Sequence, residues 1–496
     1  MRRRTGGQVL AGLACGALAS AILSCGDWPG PAAPRKPNIV VIVTDDQSSS
    51  MLPYMKHTQK LLVEQGTSFS NFFINDPICC PSRVTMLLGQ YRHNHQLEVH
   101  PTGCGYRFYR QGMHRHALGK RVRDAGYRTG FIGKYLNSHD RYVQQASVEN
   151  AGKELLDGWD DYHVSLRLRY QGFSLHENGK MVSYPNSDAN YQTDVFARLS
   201  TQFVRTSVQE GKPFFLFIST NAPHTPATSA ARHRSLFVGT RAPRGPSFNE
   251  QDVSGQPGLR ASPPLTPRQI ARIDRTYRRA LRSLQAVDEL VFDVVQELDR
   301  LGQLDHTYVF FASDNGLHFG EHRIEWGKGT PYEEAVRVPF VIRGPGVAKN
   351  RVRSEITSNV DILPTVLDIL GQRPDERIDG RSLRPLFGSE VDATSWRKAI
   401  TLESRHEARN QGVPAFGALR TERYKWIEYE NGERALYDLA RDPHELTNAS
   451  GGPNSELGEA LAAWLRDLLL CHGEDCERIE NQDRVRAWSG AVDDTR

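Results

Sequence analysis

Asn38-Ile39-Val40-Val41-Ile42-Val43-Thr44-Asp45-Asp46 is a run of apolar, mostly β-branched residues that stops at two aspartates. An uninterrupted apolar run leaves no solvated face, so it reads as a strand buried on both sides, as at the centre of a parallel sheet. Three further runs repeat the pattern: residues 129–132, residues 213–219 with Phe214-Phe215-Leu216-Phe217-Ile218, and residues 307–312 with Tyr308-Val309-Phe310-Phe311. Each leads into a polar cluster, namely Gly133-Lys134, Asn221-Ala222-Pro223-His224 and Ser313-Asp314-Asn315-Gly316. Open α/β sheets bind ligands outside the carboxyl ends of their strands. Four strands that deliver carboxylates, amides and cations at that end predict one shared, charged site.

Between the third and fourth strands, Thr266-Pro267-Arg268-Gln269 carries an N-cap, a proline for the first helical position and a capping-box glutamine. Apolar residues then recur at helical spacing from Ile270 to Leu301, which predicts one long core helix without chemistry. Residues 232–264, rich in Pro, Gly, Arg and Ser, read as a long irregular loop over the site. From about Ser395 the texture changes. Tyr424-Lys425-Trp426-Ile427-Glu428-Tyr429 alternates, Asn431-Gly432 supplies a hairpin turn, and Ala435-Leu436-Tyr437-Asp438-Leu439 answers it. Residues 457–470 form an amphipathic pattern, completing a small α+β unit.

The 496 residues suit one large domain plus a smaller one, and the net charge of +4 predicts no nucleic-acid partner. Arg2, Arg3 and Arg4 followed by an apolar stretch up to Leu23 form an export signal over residues 1–25. Ile22-Leu23-Ser24-Cys25 is similar to a bacterial lipobox, which makes Cys25 a lipidation site; an ordinary cleavable signal is the alternative. Residues 26–35 then read as a tether, residues 36–393 as the catalytic domain and residues 394–496 as the C-terminal subdomain and tail. The expected location is the periplasm or cell surface, with a lipid anchor. Export permits disulfides. Cys471 and Cys476 bracket a short polar loop that a bridge could close, and Cys80 with Cys104 is a second pairing that spacing alone does not fix.

Cys79-Cys80-Pro81-Ser82-Arg83 with Leu88-Gly89 resembles the signature of the formylglycine-dependent sulfatases, Cys-x-Pro-Ser-Arg with a downstream Leu-x-Gly. Other elements of that family follow in order: Asp45-Asp46, Gly133-Lys134, Ala222-Pro223-His224-Thr225-Pro226, Ser313-Asp314-Asn315-Gly316, and Gly327-Lys328-Gly329 with Tyr332-Glu333. The resemblance runs from about Lys36 to Asn448. It implies an alkaline-phosphatase-like α/β sandwich with a large, mostly parallel central sheet and a small C-terminal α+β subdomain. It further implies that a formylglycine-generating enzyme oxidises Cys79, and that sulfuric esters are the substrates.

Within that resemblance, Asp45, Asp46, Asp314 and Asn315, with modified residue 79, are the metal ligands. All-oxygen side chains suit a hard cation, so Ca²⁺ is expected, with Mg²⁺ not separated from it. Cys79, Arg83, Lys134, His224 and Lys328 are the catalytic set around an anionic sulfate. Taken singly, each has a bland reading: an Asp-Asp pair caps loops, lysines are solvated, and a buried Cys fills space or pairs. His318, His95 and Asn137 are candidate substrate contacts, although His95 also reads as structural and His318 as a loop residue. Many sulfatases place a histidine two positions after the first lysine, but here Tyr135-Leu136-Asn137 follows Lys134. That string, the Cys79-Cys80 pair, Tyr91-Arg92-His93-Asn94-His95 and Phe248-Asn249-Glu250 resemble the N-acetylglucosamine-6-sulfatase branch. The expected substrate is therefore a sulfated carbohydrate such as 6-sulfated glucosamine. An arylsulfatase, a phosphonate monoester or phosphodiester hydrolase, and a catalytically silent glycan-binding protein are the alternatives.

Overall fold

Strand β1 (Asn38–Asp45) is buried along its whole length, and its side chains alternate between two cores. Ile39, Val41 and Val43 face one hydrophobic cluster, whereas Val40 and Ile42 face another. A computed structural model describes residues 36–98, 103–140, 156–405, 412–451 and 454–489. The export signal, Cys25 and the tether lie outside the described residues.

β1 is flanked on both sides by parallel partners, β8 (Phe214–Pro223) and β9 (Thr307–Ser313). Asn38 pairs with Thr307 and Thr44 with Ser313, so the first and fourth apolar runs end side by side. β4 (Arg128–Lys134) continues the parallel set beyond β8, and β5 (Asp161–Ser165) lies beyond β4. Antiparallel pairings follow on both sides of this parallel set. β10 (Phe340–Arg343) joins β9 on one side, whereas β6 (Phe173–Glu177) and β7 (Lys180–Tyr184) form a hairpin beyond β5 on the other. With β2 (Thr67–Phe69) and β11 (Arg351–Arg353), the sheet has ten strands.

Helices cover both faces. α1 (Cys79–Leu88) supplies Val84, Leu87 and Leu88 to one core, with α4 (Ile362–Ile369) beside it. α2 (Gln192–Gln209) and α3 (Pro267–Arg300) close the other. α3 starts as its caps require: Thr266 accepts from Gln269 N, Gln269 bonds back to the Thr266 backbone, and Pro267 occupies the first turn. The long loop before it packs on the segment after β9 through an isolated bridge between Phe248 and Glu321.

The C-terminal antiparallel sheet comprises β13 (Ala399–Ser404), β14 (Phe416–Thr421), β15 (Tyr424–Tyr429) and β16 (Arg434–Asp438). Helix α5 (Ser455–Leu468) packs on it, and the β15–β16 hairpin turns at Gly432, whose φ is +83°. This third core also takes in Phe73, Tyr91 and Tyr332 from the part of the chain that precedes it. Bridges join Cys80 to Cys104 and Cys471 to Cys476.

Ion pairs sealed from water reinforce that junction. Arg397 reaches Asp361 through both terminal nitrogens, at 2.7 and 2.8 Å, and Glu480 through Nε at 2.7 Å. Arg381 binds the same Glu480, and Tyr91 donates to it. The side chains of Arg397, Asp361 and Glu480 are wholly buried. Removing one partner of such a set strands the others without water or counter-charge. Arg397→Met should therefore lower unfolding stability by about 3–5 kcal/mol, read as a fall in both the denaturant midpoint and the Tm.

Candidate active site

Two acidic strand ends meet at the carboxyl edge of the sheet. β1 ends with Asp45, and the next residue, Asp46, adopts a left-handed φ of +69°. That conformation is uncommon outside glycine and marks a backbone held by its surroundings. Here the Asp46 amide donates to Asp314 Oδ1 at 3.1 Å, tying the end of β1 to the residue after β9. Asn315 Nδ2 donates to Asp46 Oδ1 at 2.6 Å, which leaves Asn315 Oδ1 facing inward. Asp45, Cys79 and Asp314 present ligand atoms within 4.8 Å of one another, and so do Asp45, Asp46 and His224.

Cys79 is the first residue of α1 and the free cysteine among the described residues. Its buried sulfur therefore sits where the helix directs unpaired amides and a partial positive charge. One turn on, Arg83 returns to the same place. Its Nε donates to Asp314 Oδ2 at 2.8 Å and its Nη1 to Lys134 O at 2.7 Å. Lys134, the last residue of β4, extends Nζ to Asp45 Oδ2 at 2.5 Å. Lys328 Nζ reaches Asp46 Oδ1, Cys79 Sγ at 3.0 Å and Asn315 Oδ1 at 3.2 Å. His224 follows β8, with Nε2 3.6 Å from Asp46 Oδ2 and Nδ1 donating to the Thr225 carbonyl at 2.7 Å.

The charges control one another. Burial pushes the Asp45 and Asp46 carboxyls up, but Lys134 beside the first and Lys328 beside the second hold both below the usual carboxylate value. Burial depresses the two lysines, yet the facing carboxylates and residue 79 raise them overall, Lys328 most strongly. Arg83 is raised likewise, chiefly by Asp314 against its burial. All five side chains are therefore charged at neutral pH. Two buried atoms remain without a hydrogen-bond partner, the acceptor Asp45 Oδ1 and the donor Arg83 Nη2. The first suits a cation and the second an anion.

Nine residues expected in the site from sequence thus converge: Asp45, Asp46, Cys79, Arg83, Lys134, His224, Asp314, Asn315 and Lys328. The three candidate substrate contacts make no hydrogen bond or ion pair to this cluster through their side chains. His95 is buried, with Nε2 against Thr85 Oγ1 and Nδ1 accepting from Leu97 N, so both ring nitrogens are occupied within the chain. His318 is buried behind the Lys328 segment, its backbone bridged to Gly327 and Nε2 2.7 Å from Thr330 Oγ1. Burial depresses His95 to about 3 and His318 to about 4, so both rings are neutral. Asn137 is exposed three residues beyond Lys134. His322 is held as an imidazolium, raised to about 10 against its burial by Glu250 and Glu334. One supporting residue carries no motif that could have revealed it: Tyr170 donates to the carbonyls of Asn221 and His224 and so fixes the turn bearing His224.

Residues 37–372 match the family described as Sulfatase, and residues 320–469 match the one described as N-sulphoglucosamine sulphohydrolase, C-terminal. N-acetylglucosamine-6-sulfatase of Homo sapiens is 31% identical over 487 residues, covering 90% of this chain and 86% of that protein. An extracellular sulfatase SULF-1 homolog of Drosophila melanogaster is 34% identical over 403 residues, covering 79% of this chain and 35% of that protein. Among solved structures, one described as a complex with its substrate D-glucosamine-2-N,6-O-disulfate superposes with a TM-score of 0.71 at 23% identity, covering 90% of this chain and all of that one. With a matched segment that spans the whole strand-end cluster, this chain belongs to the sulfatase family and is a hydrolase of sulfuric ester bonds.

Proposed function

We propose that this sulfatase removes sulfate from a sulfated carbohydrate of the glucosamine-6-sulfate kind, using a formylglycine at position 79 and a divalent cation. The observation that carries the reading is the free Cys79 at the start of α1, with Lys328 Nζ 3.0 Å from its sulfur and the buried carboxylates of Asp45 and Asp314 within 4.8 Å of it. A thiol packed only to fill space would not recruit this ring of opposed charges.

The donor set fits a hard cation. Asp45, Asp46, Asp314 and the Asn315 amide oxygen are oxygen donors from adjoining strand ends, and the unpartnered Asp45 Oδ1 is a ligand atom without another role. Ca²⁺ is favoured by the family resemblance, and Mg²⁺ shares the same donor chemistry. When bound, such an ion polarises sulfate and lowers the pKa of a hydroxyl beside it.

The chain's own residues account for the remaining steps. A cysteine oxidised to the aldehyde takes up water to give a geminal diol on residue 79. One hydroxyl, giving its proton to a flanking carboxylate, attacks sulfur while the S–O bond to the sugar breaks, and the sugar oxygen leaves with a proton. His224, fixed by its Nδ1 bond to Thr225 with Nε2 facing the cluster, is placed to give that proton. The second hydroxyl then loses its proton as the C–O bond to the sulfated oxygen breaks. Sulfate departs, the aldehyde re-forms, and water restores the diol. Arg83, Lys134 and Lys328 lie around residue 79 and offset the charge on the sulfuryl oxygens throughout.

The substrate assignment rests on the N-acetylglucosamine-6-sulfatase relative and on the Gly133-Lys134-Tyr135-Leu136-Asn137 string. Export to the periplasm or cell surface, with Cys25 as a lipid anchor, completes the proposal. Two disulfides suit an oxidising compartment, and no helix among the described residues is long and apolar enough to cross a membrane.

Three outcomes test the reading. The tryptic peptide containing residue 79 should carry the mass of an aldehyde rather than a thiol, and Cys79→Ala should abolish turnover with little change in Tm. Residual activity of that variant near wild type would refute the nucleophile. Asp314→Ala should lose bound Ca²⁺ or Mg²⁺ and activity together in paired elemental and kinetic assays, whereas retention of a full equivalent of metal would exclude the ligand set. The kcat/KM on 6-sulfated glucosamine should exceed that on an aryl sulfate. A preference for the aryl compound with no turnover of any sulfated sugar would defeat the substrate assignment and leave the family membership intact.

A further inference from the structure

Beside the catalytic corner, β5 leads into the segment Leu166-Arg167-Leu168-Arg169-Tyr170, which starts the hairpin of β6 and β7. Both ends of this segment are anchored to the active site. Ser165 is the register partner of Lys134 in the parallel β4–β5 pair, and its hydroxyl donates to Arg167 O at 3.1 Å. Tyr170 OH binds the carbonyls of His224 and Asn221. Neighbouring strands lie about 4.8 Å apart, and two residues of chain span at most about 7 Å. The Arg167 backbone is therefore within about 12 Å of the Lys134 backbone, roughly the span of a disaccharide.

Burial alternates along the segment: Arg167 and Arg169 are exposed, Leu166 and Leu168 half-buried, and Tyr170 buried. The two arginines, with Leu166, line one cleft of about 330 Å³. Phe173 and Met181 supply apolar surface there, and Ser174 a hydroxyl. Phe173 is stacked on Tyr184, and Met181 is 53% exposed. Asp140 is the only carboxylate of the lining, and no ion pair joins it to either arginine. Neither guanidinium makes a hydrogen bond or ion pair with any described residue. Two like charges on one short segment, without a partner among the described residues, cost the fold a little and stabilise nothing within it. An anion between them would reverse that balance, because guanidinium binds sulfate or carboxylate through paired N–H donors.

We infer that Arg167 and Arg169 form a second anion subsite, which reads a further sulfate or carboxylate on the glycan whose ester lies at residue 79. The inference rests on the sulfated-carbohydrate reading above and adds to it that the preferred substrate is polyanionic. Exposed Met181 offers apolar surface beside the arginines for a sugar ring, while the sulfate pocket and the arginines hold the charges at its two ends.

The test compares kcat/KM of the mature enzyme on N-acetylglucosamine-6-sulfate, on glucosamine 2-N,6-O-disulfate, and on a disaccharide of a uronic acid with N-acetylglucosamine-6-sulfate. Wild type should favour one of the two doubly charged compounds over the singly charged one by about tenfold or more at low salt. The compound favoured distinguishes a sulfate on the same ring from a carboxylate on the next. In Arg167→Gln/Arg169→Gln that ratio should fall towards one, and Arg167→Lys/Arg169→Lys should restore part of it. A wild-type ratio near one, or a ratio that survives the double Gln substitution, overturns the subsite while leaving the sulfated-sugar reading in place. Turnover of an aryl sulfate with none of the three sugars overturns both.

Discussion

Three carboxylates buried within a few ångströms of one another would repel each other and forfeit their hydration, a combination that no fold sustains without compensation. Here Asp45, Asp46 and Asp314 are matched by Lys134, Lys328 and Arg83, each carried by a different part of the chain. β1 and β9 bring the acids together, while β4, α1 and the segment after Gly327 bring the cations. The position of every element at the carboxyl edge of the sheet is therefore constrained by charge as well as by packing. The same balance supports chemistry: cations that already neutralise fixed carboxylates are oriented before a substrate arrives, so little reorganisation remains at the moment of reaction.

The segment carrying Lys328 is held from the far side by the C-terminal sheet. Lys425 on β15 pairs with Glu333 and Glu445 at 2.9 and 2.6 Å, and Arg420 on β14 pairs with Glu333 at 3.0 Å. Glu445 accepts from the Glu333 amide, and Gln256 of the long loop donates to the Glu445 carbonyl. The small sheet thus contributes to the active site without lending it a side chain. It fixes the chain five residues beyond Lys328, and Glu250 with Glu334 holds His322 on the near side.

The features legible in the sequence were those written in local pattern. The unbroken apolar run of β1, the cap of α3 at Thr266-Pro267-Arg268-Gln269 and the turn at Asn431-Gly432 each state their structure within a few residues. The strand-end rule placed Lys134, Asp314 and His224 together before any contact was known, and the resemblance around Cys79 supplied Lys328. What stayed hidden depends on distant partners. Nothing near Tyr170 indicates that its hydroxyl supports His224, and nothing near Arg397 indicates that it closes on Asp361 and Glu480. His95 lies in motif-like surroundings, yet burial and internal hydrogen bonds occupy both of its ring nitrogens, a distinction that only packing can draw.

The pairing of β1 with β9 also sets a timetable. Residues 38–44 must find residues 307–313 before the centre of the sheet can close. At the usual pace of synthesis, the interval between their appearances is on the order of tens of seconds. During that interval residue 79 has neither Asp314 nor Lys328 beside it, and the stretch around it is still an open peptide. The pocket around residue 79 consequently closes only after Asp314 and Lys328 have been made, although residue 79 itself is made well before either.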